Sequence, residues 1–484
     1  MKTGPSRVVE DILPLSPLQE GLVFHSVYDE GGADIYTVQL VFDLDGELDP
    51  EALREAAAAL VRRHGNLRVG FRQRRSGEWV QLVAREVPLD FREVDLTGTP
   101  GNRIEAEADR LVAADRERRF DLGRPPLIRF MLLRLAKRRH RFLIAIHHAL
   151  FDGWSLPILV RELMTLYTTS GDAAGLPAVQ PYRDYLTWLA GQDREAAKAA
   201  WRTALGGLAQ PTRVAGSLPA DRVPGLPERI HFELPDGMAT ALEDRVQAAG
   251  VTLNTVVQAA WALTLAKTTG QSDVTFGVTV SGRPAELPGV ESMVGLFINT
   301  LPLRLRLRPE ETLTDLLARI QREQNALLPH QYLGLAEIQQ QVGVGDLFDT
   351  KMVFENYPID TDALSAAADA GGLRVTRSQS LDATHYPLAL VAMPSPRGLS
   401  FRLDYQGDLF DQAFAEETAR RLLRVLSQVA DDPSTRVGRL RLVSGVDGSG
   451  PVRPLDFRSL PELFAARVAV SPGAVAVSSG GVDL

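Results

Sequence analysis

Two adjacent histidines are the residues of this chain best suited to proton-transfer chemistry. His147 and His148 follow an apolar segment, and Asp152 and Gly153 come shortly after them. An imidazole with an unperturbed pKa of about 6.5 is mostly neutral at pH 7 and can accept a proton. Paired histidines are also common as hydrogen-bonded structural residues, so the pair alone does not decide between the two roles.

The elements around the pair would hold it at the end of a strand. Phe142, Ile144 and Ile146 alternate along the chain and predict a strand that ends at the histidines. Ser155 is in position to cap a helix over residues 156–166. Successive residues of an extended chain point to opposite faces, so the two imidazoles cannot enter one cavity. We expect one to serve chemistry and the other to serve structure.

Composition limits the classes of protein that the chain can belong to. It has 484 residues, 45% of them hydrophobic and 24% charged, which is typical of a globular protein with two or three cores. The net charge of -8 argues against binding to nucleic acid, which requires a basic surface. The absence of cysteine excludes disulfides, thiolate metal sites and a cysteine nucleophile.

Several other classes lack their motifs. No apolar run reaches the roughly 18 residues of a membrane span, and residues 1–11 contain no secretory core, so we expect no membrane association and a cytoplasmic location. There is no Gly-x-Ser-x-Gly elbow, phosphate-binding loop or His-Glu-x-x-His string. A serine hydrolase, a nucleotide enzyme and a zinc hydrolase therefore have no support, and no metal site is predicted.

Helices and strands alternate along the whole chain. Ser16, Pro17 and Gln19 form a capping box that predicts a helix start. Further strands are predicted at residues 38–44, 127–135, 274–280, 301–307 and 399–405, and further helices at 102–120, 252–267, 313–328 and 411–429.

The segment 147–155, reading HHALFDGWS, resembles the active-site motif of the condensation domains of nonribosomal peptide synthetases. These domains belong to the chloramphenicol acetyltransferase-like superfamily. Six other segments resemble further motifs of the family in the same order: LPLSPLQEGLVFH (13–25), RHGNLRVGF (63–71), YRDYLTW (182–188), SGRPAELPGVESMVGLFINTLPL (281–303), HQY (330–332) with Ile338 and Gln339, and VFENYP (353–358). In the second of these, Val69 stands where Thr is usual.

The resemblance implies a fold and a domain organisation. We expect an α/β protein, an α+β sandwich, of two chloramphenicol acetyltransferase-like lobes in a V with a central tunnel. The N-terminal lobe would comprise residues 1–172 and the C-terminal lobe residues 173–444. Residues 445–484 would form a linker rich in Gly, Ser and Pro and the truncated start of an adenylation domain.

The resemblance also implies roles for the residues of the motif. His148 would be the catalytic residue, acting as a general base or as a hydrogen-bonding positioner of the attacking amine. His147 would point away from the tunnel and brace the loop. Asp152 would form a structural salt bridge with Arg283, which pins the loop against the second lobe.

The remaining motif residues are expected to shape the loop. Gly153 would allow a tight turn, and its amide could donate to the thioester carbonyl as charge develops. Trp154 would pack in the core, beside Ser155 at the helix start. The sequence indicates no particular residue for binding the substrates.

By resemblance, the reaction joins a donor peptidyl or aminoacyl thioester to the amine of an acceptor aminoacyl thioester. The expected partners are donor and acceptor peptidyl carrier proteins, whose phosphopantetheine arms carry the reactants, and the adjacent adenylation domain. No intrinsic cofactor is expected. The opening motif is of the version typical of domains that follow a module delivering a D-configured residue.

Three related activities and one noncatalytic role are alternatives. An epimerisation domain shares the histidine string but usually continues with Val-Ser-Trp after the glycine, where this chain has Trp154-Ser155. A heterocyclisation domain would carry Asp in place of His147, and a dual epimerising and condensing domain would show another His-rich motif near the amino end. A noncatalytic domain that recruits carriers or tailoring enzymes would need neither His148 nor Asp152.

Overall fold

The computed structural model describes residues 8–28, 34–219, 222, 225–355, 372–395, 398–442, 460–470, 472–473, 475, 478–479 and 482–483. The chain divides into two compact units, Met1–Leu440 and Arg441–Leu484. The predicted end of the second lobe at residue 444 lies outside the described residues.

Strands make up most of the framework of the first unit. In chain order, those described are β1 (Val9–Pro14), β2 (Thr37–Gly46), β3 (Val69–Gln73), β4 (Trp79–Ala84), β5 (Phe91–Asp95), β6 (Ile128–Arg134), β7 (Arg139–His147), β8 (Glu228–Glu233), β9 (Asp273–Val280), β10 (Asn299–Arg306), β11 (Thr350–Phe354), β12 (Leu373–Leu381), β13 (Leu388–Ser395) and β14 (Gly398–Tyr405).

Helices cover these strands. Those described in the first unit are α1 (Pro17–Tyr28), α2 (Pro50–Arg63), α3 (Ile104–Arg116), α4 (Ser155–Thr168), α5 (Tyr182–Ala190), α6 (Arg194–Leu205), α7 (Met238–Ala249), α8 (Leu253–Thr269), α9 (Leu313–Leu327), α10 (Leu335–Val342) and α11 (Gln412–Asp431).

The strand that carries the histidines is central in its sheet. Within the described residues this sheet has the order β12-β2-β7-β6-β5, and its pairs are antiparallel except for β5 with β6. Phe130 and Phe142 stack across β6 and β7 with ring centroids 6.2 Å apart, and both side chains are buried. The histidine strand therefore has hydrogen-bonded neighbours on both edges and an aromatic core on one face.

The second half of the chain forms a larger sheet. Its order among the described strands is β10-β9-β11-β13-β14-β8, with β11 parallel to both β9 and β13. Helix α8, which carries the fully buried Trp261, packs against α11 and covers β9. β12 leaves this half and pairs along its length with β2, so the later half contributes a strand to the sheet of the histidines.

The structure confirms the predicted α/β class and most of the predicted elements. Strands β2, β6, β7, β9, β10 and β14 and helices α3, α8, α9 and α11 occupy the predicted segments to within a few residues. The capping box at α1 is present, since Gln19 N donates to Ser16 Oγ and Ser16 N donates to Gln19 Oε1. The described strands of the first unit that were not predicted are β1, β3, β4, β5, β8, β11, β12 and β13.

The second unit is described only in part. It contains a helix α12 (Leu460–Val470) and a short antiparallel pair, β15 (Ser478–Ser479) with β16 (Val482–Asp483). The side chains of Phe464 and Val470 are exposed on α12. The predicted linker and most of the Ala-Val segment at 474–477 lie outside the described residues.

No single helix among the described residues is long and apolar enough to cross a membrane. The bent pair α7 and α8 meets that requirement of length and composition only when its two helices are joined. Residues 255–265 of α8 are buried inside the first unit.

Candidate active site

The two histidines stand where β7 gives way to a single turn of 3-10 helix. His147 is the last residue of β7, and its backbone N–H donates to Leu127 O at 3.0 Å. His148 begins the turn, and its backbone N–H donates to Tyr36 O at 2.8 Å. The backbone on either side of the peptide between them is thus fixed by neighbouring chain segments.

His147 has a structural environment. Its side chain is fully buried, and its Nδ1 accepts a hydrogen bond from Ala149 N at 3.2 Å. The Nε2 therefore carries the proton, and it lies 3.1 Å from Ser26 Oγ and 3.3 Å from Asp34 Oδ2. Burial is the largest single influence on the pKa of Asp34 and raises it, but the hydrogen bond and the charge of His147, the hydrogen bond from Tyr36 N and the charge of Arg119 together exceed it and lower that pKa. His147 does not line the cavity described below, and its bracing role stays a prediction.

His148 instead lines a cavity. Its ring stacks on Phe151 with centroids 5.4 Å apart, and its Nδ1 lies 2.9 Å from Phe151 O. A carbonyl oxygen can only accept, so Nδ1 carries the proton and the lone pair of the neutral ring is on Nε2. Burial, with a smaller contribution from the positive charge of Lys351, lowers the pKa of His148 below its usual value. The side chain is thus kept in the form that accepts a proton.

Amide side chains from two neighbouring elements hold the turn that follows. Gln19 Nε2 of α1 donates to Ala149 O at 2.8 Å. Asn66, which lies just after α2, donates to Leu150 O. Each of these buried carbonyls thereby has a hydrogen-bond partner. The backbone that carries His148 is thus held by side chains of the first half of the chain, Gln19 and Asn66.

Asp152 is the centre of a buried polar network. Its Oδ1 lies 3.0 Å from Arg283 Nη2, and its Oδ2 accepts from Phe297 N at 3.2 Å. Arg283 also donates to Val290 O and Met293 O, and burial lowers its pKa. The predicted ion pair is therefore present. It joins the histidine loop to the segment that precedes β10.

Two details of the loop differ from the prediction. α4 begins at Ser155, but the side chain that accepts from its first turn is Asp152, whose Oδ1 takes the N–H and the hydroxyl of Ser155 at 2.9 and 2.7 Å. Ser155 is thus a buried partner of the carboxylate and not the cap. Trp154 packs only partly against the core, and its Nε1 donates to Glu291 O at 2.9 Å. Gly153 lines the cavity beside His148.

The cavity has a volume of about 470 Å³ and lies between the two larger sheets. β2 and β12 supply one wall, the inward face of the six-stranded sheet supplies the opposite wall, and α4 and the histidine loop close one side. Its lining includes Val38, Leu40, Phe42, His148, Phe151, Gly153, Leu156, Val160, Thr279, Thr300, Lys351, Val353, Glu355, Asp382, His385, Tyr386, Arg402 and Asp404.

Several polar lining residues were not found from the sequence. Tyr36 Oη lies 2.8 Å from His385 Nδ1, and burial lowers the pKa of His385 well below its usual value. Lys351 stands between buried residues of β11. Lys351 could have been noticed in the sequence as a lysine within an apolar strand. The position of His385 could not, because it depends on the region around β12, which was not predicted.

No group of three or more His, Cys, Asp or Glu residues in the described part of the chain is arranged to hold a metal ion. Residues 356–358 of the last predicted motif lie outside the described residues.

Comparison with known proteins gives one consistent result. The family model of the condensation domain matches residues 9–447. The chain is 33% identical over 98% of its length to one of the linear gramicidin synthase proteins of Brevibacillus parabrevis, and 31% identical over 98% of its length to surfactin synthase subunit 3 of Bacillus subtilis (strain 168). It spans only 6% and 38% of those two proteins.

Solved structures show the same fold. The first condensation domain of the calcium-dependent antibiotic synthetase, in complex with a substrate analogue, aligns over 90% of this chain and all of that one with a TM-score of 0.73 and 23% identity. A four-domain nonribosomal peptide synthetase bound to AMP and glycine aligns over all of this chain and 38% of its own, with a TM-score of 0.75 and 19% identity. The chain belongs to the condensation-domain family of nonribosomal peptide synthetases, and its fold is that of the chloramphenicol acetyltransferase-like proteins.

Proposed function

We propose that this chain is an acyltransferase that joins a donor peptidyl or aminoacyl thioester to the amine of an acceptor aminoacyl thioester. The observation that carries the proposal is the environment of His148. A neutral imidazole with its proton fixed on Nδ1 presents its acceptor nitrogen on the wall of a cavity large enough for two aminoacyl groups. His147, in contrast, is fully buried and hydrogen-bonded.

The reaction follows from this geometry. The acceptor amine attacks the donor carbonyl carbon, and His148 Nε2 takes one proton from the nitrogen as the C–N bond forms. The C–S bond then breaks, and the leaving sulfur receives that proton. Atoms and charge balance, because one thioester and one amine give one amide and one thiol.

Positioning supplies most of the acceleration. Holding two tethered reactants in line is worth about 7 to 11 kcal/mol, and a thiolate is a good leaving group. A well-placed base contributes roughly 100-fold to 10,000-fold more. Gly153 lines the same cavity, and in this proposal its amide donates to the carbonyl oxygen as it becomes negative.

The buried pair of Asp152 and Arg283 has a supporting role in this proposal. It ties the histidine loop to the segment before β10, so that the wall carrying His148 keeps its distance from the opposite wall. Ser155 extends the same network, since its hydroxyl also contacts Arg283 Nη2 at 3.1 Å. Neither carboxylate oxygen of Asp152 contacts His148 in this network, so Asp152 acts by positioning.

Further parts of the proposal rest on family membership. Donor and acceptor carrier proteins would bring their phosphopantetheine-linked reactants to opposite mouths of a tunnel that contains the cavity. The first lobe would end near residue 172, and residues 445–484 would begin an adenylation domain. The preference for a D-configured donor and the cytoplasmic location are predictions from the sequence alone.

The test is to mix the chain with separately loaded donor and acceptor carriers and to analyse the carrier-bound products by mass spectrometry. D-donors and L-donors are compared in parallel. A lengthened peptide on the acceptor carrier supports the proposal. Racemised donor without peptide would assign epimerisation instead, and carrier binding with no chemical change would assign recruitment.

A further inference from the structure

The cavity has one apolar wall and one charged wall. Val38, Leu40 and Phe42 of β2 form the apolar wall with α4. The charged wall is the inward face of β11 and β14, where Lys351 and Arg402 point to the same space as His148. An all-apolar substrate would leave the charged groups of this second wall without partners. The question is therefore which of these charges are neutralised within the protein and which are not.

Four of the charges on and behind this wall neutralise one another. Arg402 lies 2.7 Å from Asp382 and 3.1 Å from Asp404, measured between guanidinium nitrogens and carboxylate oxygens. Arg229 lies 3.4 Å from Asp382 and 3.2 Å from Asp404. Two guanidinium groups therefore face two carboxylates, and this quartet needs no charge from a ligand.

Lys351 is different. Within the described residues its ammonium makes no hydrogen bond or ion pair, and it lies over the ring of Tyr386, whose centroid is 5.7 Å from Nζ. That ring is itself held by Phe348, stacked at 5.8 Å. Glu355 is four residues along the strand, which places it about 13 Å away in an extended chain. The face of the ammonium away from Tyr386 is thus open to the cavity.

A half-buried ammonium with no carboxylate in contact is costly, and burial lowers the pKa of Lys351, while the more distant charges of Asp382 and Asp404 offset only part of that change. A ligand that supplies a carboxylate would recover the lost solvation and form a charge-assisted hydrogen bond. Thr279 and Thr300 lie on the same wall and could donate to the second carboxylate oxygen.

We propose that Lys351 is the recognition group of a subsite for a side-chain carboxylate, so that one of the two reacting aminoacyl groups is an acidic residue such as glutamate or aspartate. The identity of the ligand as an aminoacyl group rests on the proposed function. The binding of a carboxylate beside Lys351 depends only on the cavity. The two carriers are the two sources of such a group, and the experiment separates them.

The experiment compares glutamate with its uncharged isostere glutamine, first on the donor carrier and then on the acceptor carrier. The quantity measured is the ratio of kcat/KM for glutamate to that for glutamine. In the wild-type chain we expect this ratio to be at least 10 on one carrier. In Lys351→Met, which keeps the length of the side chain and removes its charge, we expect the ratio to fall at least tenfold.

Lys267→Met is the matched control, because Lys267 is exposed at the end of α8 and does not line the cavity. It should leave the ratio unchanged. Lys351→Glu is the second variant, and it should reverse the preference toward the cationic residue ornithine. Equal ratios in Lys351→Met and wild type on both carriers would overturn the inference.

A binding measurement separates this inference from the proposed function. N-acetylated glutamyl and glutaminyl thioesters of N-acetylcysteamine cannot act as acceptors, and their affinities can be measured by calorimetry. Preferential binding of the glutamyl compound that is lost in Lys351→Met supports the subsite even when no peptide forms. The same thioesters with a free amine, measured without a donor, test the acceptor position, and equal affinities within both pairs refute the subsite whatever the activity of the chain.

Discussion

Replacing Asp152 with alanine tests how the histidine loop is held. The carboxylate is fully buried, and the variant leaves Arg283, also buried, without its counter-charge. It also removes the acceptor from the first turn of α4, where Ser155 N donates. Breaking a buried pair on one side typically costs about 3 to 5 kcal/mol, and most of that cost is the uncompensated charge.

This free energy converts to a measurable shift in melting temperature. The unfolding entropy is about 2.1 cal/mol/K per residue. For the unit of 440 residues it is therefore about 0.9 kcal/mol/K, so Asp152→Ala should melt about 3 to 5 °C below wild type. Differential scanning calorimetry at pH 7 measures the shift.

Asp109→Ala is the matched control for this shift. Asp109 lies 2.7 Å from Arg141, but its side chain is 71% exposed and Arg141 retains Asp43 as a partner. An exposed pair contributes at most about 1 kcal/mol, so this variant should melt within about 1 °C of wild type. Adding Arg283→Met to Asp152→Ala should recover part of the lost stability. Equal shifts for Asp152→Ala and Asp109→Ala would refute the view that Asp152 anchors the loop through a buried charge pair.

Three further predictions follow from the same site. Burial and the charge of Lys351 lower the pKa of His148, so the condensation rate should stay constant to below pH 6.5 and fall only at lower pH. Lys351→Met removes that charge and should move the fall in rate to higher pH. His147→Leu should lower the melting temperature at pH 7 and make the melting temperature less sensitive to acid. The reason is that Asp34 stabilises the folded chain above its unfolded pKa of 3.8, and this stabilisation is lost as the pH falls through the lower pKa of Asp34 in the folded chain. Gln19→Ala leaves the carbonyl of Ala149 unpaired and should reduce the rate while the pH at which the rate falls stays the same.

Local features of the site could be predicted from the sequence because they depend on neighbours in the chain. The alternation before His147 predicts a strand, and the two imidazoles do lie in different surroundings, although His148 belongs to the turn that follows the strand. The ion pair of Asp152 with Arg283 spans two distant segments, and it was predicted only through the family resemblance. The residue that caps α4 was assigned wrongly, because the carboxylate three residues upstream accepts from the backbone amide of Ser155 and so places Ser155 inside the first turn.

The opposite wall of the cavity could not be predicted. It is formed where β11, β14 and the segment after β12 come together, and this depends on the return of β12 to the first sheet. Pairing between strands so far apart in sequence leaves no local pattern. Lys351 was therefore visible as a charge in an apolar strand, but its position opposite His148 was not.

The central claim is that one imidazole accepts the proton of the attacking amine. Single-turnover rates with pre-loaded donor and acceptor carriers measure this most directly, for wild type, His148→Ala and the cavity-remote control Lys267→Met. We predict a fall of roughly 100-fold to 10,000-fold for His148→Ala and no change for the control. Peptide formation by His148→Ala at the wild-type rate would contradict the account.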